Sequence, residues 1–221
     1  IPPGRVTVAG ESVEVGPFFM DETEVTYSQF GAFCRNVPGG WREGFANYPE
    51  HAADYPVTGV TFYDAQAYAA FHGKRLPTEA QWARAAYGSP DASARYPWGD
   101  EWILGACNCG GDNAFQETAP VKSFEKDQTW AGIWDMAGNA SEWTRTPAAS
   151  EAATAPEGEL PFGMPYVTRG GNFTATQYPL NRSDTELYEQ SRRYLGFRCV
   201  REIPTHPAGV RAVLNGSTQT D

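Results

Sequence analysis

Cys107 and Cys109 stand one residue apart, a spacing compatible with copper or redox chemistry and equally with a local structural or disulfide role. With Cys34 and Cys199 they make four cysteines, too few for a disulfide scaffold and too irregularly spaced for a zinc site. His51, His72 and His206 lie far apart and read as ordinary loop or surface histidines. Carboxylates and amides gather in turn-forming stretches. Asn108 and Asn113 flank Gly110-Gly111, and Asp135 and Glu142 bracket Gly138-Asn139. Taken alone, Asn108, Asn113 and Asp135 are candidates for Asx turns, and Glu142 for a buried cap or an ion-pair partner.

A third stretch, from Asn172 to Leu195, mixes Tyr, Asn, Ser, Thr and Arg without helical or strand periodicity. Rigid rings and versatile hydrogen-bonding groups are what an adaptable binding surface uses. Asn172, Thr174, Gln177, Tyr178, Arg182, Tyr188, Arg192 and Arg193 are the expected ligand contacts, whereas Phe173, Leu180 and Leu187 suit a core and Arg182 and Arg198 could anchor carboxylates.

The elements that must hold these residues follow from the apolar spacing. Val6, Val8, Val13 and Val15 alternate with polar residues as a strand-like opening. Thr26 caps a helix whose inward stripe is Tyr27, Phe30, Phe33 and Cys34, ending before Pro38-Gly39-Gly40. A second helix starts at Thr61, with Asp64 three residues on, and stops at Gly73. A third starts at Thr78, with Gln81 three residues on, and stops at Gly88. Beyond Gly88 the sequence predicts long ordered loops and short strands, an exposed insertion over 148–161, and closing strands at Tyr166 to Gly171 and Gly196 to Glu202.

A chain of 221 residues with 41% hydrophobic content can bury one substantial core, and no repeat divides it. A formal charge of -10 from 27 acids and 17 bases disfavours nucleic acid and makes cations the expected partners. No apolar run reaches membrane-spanning length, and the opening at Ile1 lacks a signal-like segment, so the expectation is a soluble mature chain.

Seven ordered blocks resemble the sulfatase-modifying factor, or formylglycine-generating-enzyme, family. They are Glu24-Val25-Thr26, Gly73 to Trp82, Tyr96-Pro97-Trp98-Gly99, Thr118 to Val121, Asp135 to Trp143, Arg169-Gly170-Gly171 and Gly196 to Cys199. The resemblance runs from about Ile1 to Arg201 and leaves 202–221 as a C-terminal tail. It implies an irregular, loop-rich α+β domain with a C-type-lectin-like fold and little regular secondary structure.

The resemblance also implies structural calcium at one or two sites. One would use the side chains of Asn108 and Asn113 with the carbonyls of Cys109 and Phe115, and places the Cys107 segment away from the substrate groove. The other would use Asp135 and Glu142 with the carbonyls of Gly138 and Ala140. Members that oxidise a substrate cysteine hold copper(I) on two cysteines, which here correspond to Ala175 and about Leu180. No thiol lies between Gly171 and Cys199, so no copper is expected. Asn172 also replaces the family's usual Ser, and Ser141 its usual Trp. Cys199, whose usual partner position is Ala69 here, could bond Cys34 or remain a buried thiol.

These departures favour a non-catalytic domain that binds a protein, peptide or small molecule through 172–195, the stretch that forms the ligand face in related lectin-like domains. The alternative is a divergent oxidoreductase similar to the family's pyoverdine-maturation member, acting on a peptide-derived substrate, which would need a deep pocket beside Asn172, Ser141 and Arg182. Formylglycine generation is the remaining possibility. Calcium loops and disulfide-competent cysteines point to an extracytoplasmic, periplasmic or secreted location.

Overall fold

The N-terminal valines form a hairpin in which β1 (Gly4–Val8) pairs antiparallel with β2 (Glu11–Val15) through a turn at Ala9-Gly10, both at positive φ. Its buried residues, Val6 and Val15, pack in one apolar cluster with Trp82 and Ala83. The computed structural model describes residues 1–88, 94–111, 115–148 and 163–203. The expected insertion at 148–161 falls almost wholly outside the described residues, as does the tail beyond Ile203.

The three long helices begin by the same device. Thr26, Thr61 and Thr78 each accept a hydrogen bond from the backbone N–H three residues on. The side-chain oxygens of Gln29, Asp64 and Gln81 in turn accept from the capping threonine's own N–H. These caps start α1 (Tyr27–Asn36), α3 (Phe62–Phe71) and α4 (Glu79–Tyr87). A single-turn helix, α2 (Glu43–Ala46), sets Phe45 edge-on to Phe30 at 5.3 Å. Phe30, Phe33 and Cys34 are buried, as their spacing predicts.

Among the described residues eight short strands make three small sheets. β3 (Phe18–Met20) pairs with β8 (Val200–Glu202), tying the beginning of the chain to its end. The largest sheet runs in the order β6 (Ser183–Leu187), β5 (Pro165–Arg169), β4 (Ser141–Pro147), β7 (Leu195–Gly196), with only the β4 and β7 pair parallel. The closing segment is therefore two strands interrupted at Phe197 to Cys199, because Arg198 turns inward there. From Ala94 to Ala140 no strand is present among the described residues, and turns with isolated bridges carry the chain. Two apolar clusters fill the interior, one around α1, α3, Trp143 and Phe197, the other around α4, Met136 and Leu180.

A charged contact joins these parts. Arg198, fully buried, donates to both Glu142 oxygens at 2.8 and 2.7 Å. It also donates to the carbonyls of Asp21, Glu22 and Trp134, so every guanidinium N–H is used. Trp82 Nε1 donates to the same carboxylate at 2.9 Å. Burial alone would lower the Arg198 pKa, but the charge and hydrogen bonds of Glu142 raise it.

Two glycines allow backbones to meet beside this pair. A Cβ on Gly138 would lie 2.5 Å from the Asn108 carbonyl oxygen, and one on Gly171 2.2 Å from that of Ala137.

Thr61→Ala removes one helix cap and should cost about 1 kcal/mol in urea unfolding. Arg198→Met leaves Glu142 buried and uncompensated, and should cost about 3–5 kcal/mol in the same assay, with part of the loss recovered when Glu142→Leu is added.

Candidate functional site

Around Arg198 the chain buries more carboxyl groups than that arginine can pair. Glu24, Asp127, Asp135 and Glu142 are each at most 1% exposed. Asp135 sits at a φ of 60°, and its carboxylate accepts the Lys122 N–H at 2.8 Å. Asp127 accepts the Ala137 N–H at 2.9 Å. Neither carboxylate oxygen of Glu24 has a hydrogen-bond partner among the described residues.

Burial first, and the charge of Asp135 second, push Glu24 and Asp127 well above the usual carboxylate range. Burial likewise raises Asp135 to about 6, against the hydrogen bond from Lys122. Two orphaned oxygens within a surplus of buried carboxylates fit a divalent cation. No three His, Cys, Asp or Glu side chains converge as a metal cage among the described residues, so an ion here would need main-chain oxygens such as those of Gly138 and Ala140. Sequence reasoning missed Glu24 and Asp127. Glu24 stood in the first family block, two residues before the Thr26 cap, with nothing in the sequence to mark it as buried, and Lys126-Asp127 reads as solvated.

The first expected ion site is less complete. Asn108 is buried and donates its amide N–H groups to the Glu117 carbonyl and Asn139 Oδ1, each at 3.0 Å. Cys109 is buried, Phe115 is 37% exposed with its ring edge-on to Phe124, and Asn113 lies outside the described residues.

Of the positions matching the copper cysteines, Ala175 is half-buried and Leu180 is packed in the same apolar cluster as Cys107, Cys109 and Met136. The Gly110 N–H donates to the Ala175 carbonyl at 2.8 Å. The chain just after Cys109 therefore lies directly against this stretch. Cys34 and Cys199 are buried thiols without a disulfide, both pushed up by burial.

The segment expected to carry ligand contacts divides in two. Asn172 is buried: its amide donates to Ser141 Oγ at 2.9 Å, and its oxygen accepts from the Thr174 backbone and hydroxyl. Tyr178 is buried too, donating to Asp184 at 3.2 Å beneath the Arg182 guanidinium. Both differ from the surface contacts expected of them, because each satisfies its polar group inside the fold. Thr174, Gln177, Arg182, Arg192 and Arg193 are exposed, and Tyr188 is half-buried against the helical core.

Asn172 and Ser141, hydrogen-bonded to each other, are both buried. Open space lies instead beyond Phe173. There a cleft of about 910 Å³ is walled by the 45–58 loop with Tyr48 and Tyr55, by Phe115 to Thr118, and by Phe173 and Arg193.

Comparison with known proteins agrees with this architecture. The sulfatase-modifying factor enzyme 1-like domain matches residues 2–203. The formylglycine-generating enzyme of Thermomonospora curvata is 34% identical over 197 residues, 75% of this chain and 63% of that protein. The hercynine oxygenase of Mycolicibacterium smegmatis is 41% identical over 113 residues, half of this chain and 26% of that protein. In three dimensions CarF superposes with a TM-score of 0.71 at 22% identity, covering 91% of this chain and 96% of that one. PvdO from Pseudomonas aeruginosa gives 0.71 at 21% identity, covering 92% and 93%. No helix among the described residues is long and apolar enough to cross a membrane. By its ordered sequence blocks, its loop-rich α+β fold and these matches, the chain belongs to the sulfatase-modifying factor, or formylglycine-generating-enzyme, family.

Proposed function

We propose that this chain is a non-catalytic, calcium-stabilised binding member of its family, whose ligand occupies the cleft bounded by Phe173 and Arg193. The observation that carries this reading is the chemistry at Ala175 and Leu180. Neither side chain can ligate a metal, and Leu180 is core. Phe173, one residue past Asn172, instead faces a cleft of ligand size. A protein, a peptide or a small molecule is the class of partner that such a cleft takes.

Calcium is proposed for the Glu24, Asp135 and Glu142 surroundings, and more weakly for Asn108 and Cys109. Its role is to neutralise buried carboxylates and hold loops, leaving the chemistry of the cleft untouched. Sites of the affinity usual for extracellular modules suit an extracytoplasmic compartment, where calcium is plentiful.

A second reading is a divergent oxidoreductase, favoured by the identity to proteins named formylglycine-generating enzyme and hercynine oxygenase. The two readings separate in one preparation. Protein purified without added metal and then exposed to copper(I) or iron(II) should retain neither at stoichiometry, and should not oxidise a cysteine-bearing sulfatase peptide. Retention with turnover overturns the binding reading.

Chelation with EDTA should lower the melting temperature and calcium should restore it. Calcium at about 100 times its dissociation constant would contribute roughly 2.7 kcal/mol, and an unchanged melting temperature would remove calcium from the account.

A further inference from the structure

The 172–195 face presents three exposed arginines with different engagements. Arg192 is held by Glu186 at 3.2 Å and by Gln190, and Arg182 lies over Tyr178 at 4.8 Å, 3.7 Å from Asp184. Arg193 has no carboxylate within ion-pair distance among the described residues, although the chain carries 27 acids. Its guanidinium instead lies over Phe173, 5.2 Å from the ring centre, and both residues line the cleft.

A guanidinium held over a ring, with no carboxylate of its own, keeps N–H groups available for two parallel bonds to one carboxylate. The rest of the cleft is ring-rich. Tyr48, Tyr55 and Phe115 offer broad faces, and no described residue hydrogen-bonds to the two tyrosine hydroxyls. Glu117, on the same lining, repels a second negative charge and so gives an anionic ligand a preferred orientation.

Resting on the binding reading above, we infer that the cleft takes a short peptide bearing a free carboxylate beside an aromatic side chain, with the carboxylate on Arg193 and the ring against the aromatic wall. The volume exceeds what a single amino acid fills, and the available donors match a peptide's carboxylate and carbonyls.

The test uses the whole chain, isotope-labelled, and follows cleft resonances by NMR while Ac-Gly-Gly-Phe is titrated as the free acid and as the amide. The acid should perturb Tyr48, Tyr55 and Phe173 signals saturably and bind on the order of tenfold tighter than the amide. Arg193→Gln should abolish that preference, Arg193→Lys should keep part of it, and Glu117→Gln should leave it or enlarge it.

N-acetyl-phenylalanine forms a third arm. Weaker binding than the tripeptide supports a peptide ligand, and equal binding overturns the peptide assignment in favour of a free aromatic acid. Equal binding of acid and amide at the cleft overturns the carboxylate assignment and leaves the binding reading standing. Shifts confined to Arg182 or Arg192, or no saturable shift with any probe, overturn the inference altogether. The metal and turnover measurements then decide the binding reading independently.

Discussion

Arg198 and Glu142 form the contact on which the fold depends. The arginine, between the short strands β7 and β8, reaches the glutamate of β4 and three carbonyls from two other loops, while Trp82 closes the glutamate from the α4 side. Strands of two to seven residues supply little ladder energy, so one fully used guanidinium takes over the work of a sheet. An ion pair at zero exposure survives only when its remaining hydrogen-bond demands are met, and here five donors meet five acceptor contacts.

The same choice of buried charge over buried apolar surface explains the acids nearby. Glu24, Asp127 and Asp135 lie where a compact domain would ordinarily place leucines, and burial raises all three because one arginine does not offset their desolvation. A loop-rich domain has many carbonyls without strand or helix partners, and a surplus of carboxylates beside them is the setting in which an ion can bind loops together. With the proposed calcium in place, stability and ion occupancy would be linked.

Much of this was legible in the residues, for identifiable reasons. The capping threonines, the glutamine or aspartate three residues on, and the stopping glycines mark the three long helices because capping is local chemistry. The valine hairpin was legible from alternation. β4 was not, since its inward face begins with Glu142, and charge at a core position hides a strand from any apolar pattern. β6, Ser-Asp-Thr-Glu-Leu, is mostly exposed and has no pattern to read. The same limit applies to the site. The composition of 172–195 suggested a surface, yet Asn172 and Tyr178 turned inward, because an amide or a phenol contacts solvent or a buried partner with equal ease. Arg193 stood out only once its neighbours could be seen.

The close approaches at Gly138 and Gly171 bear on how this segment can change over evolutionary time. Where backbone touches backbone, a single added methyl group is enough to force the chains apart, so those positions are closed to variation. Gly171 pins the root of the 172–195 segment, from which Thr174 and Gln177 are exposed to solvent. Such a platform can exchange its outer side chains without re-solving its own folding.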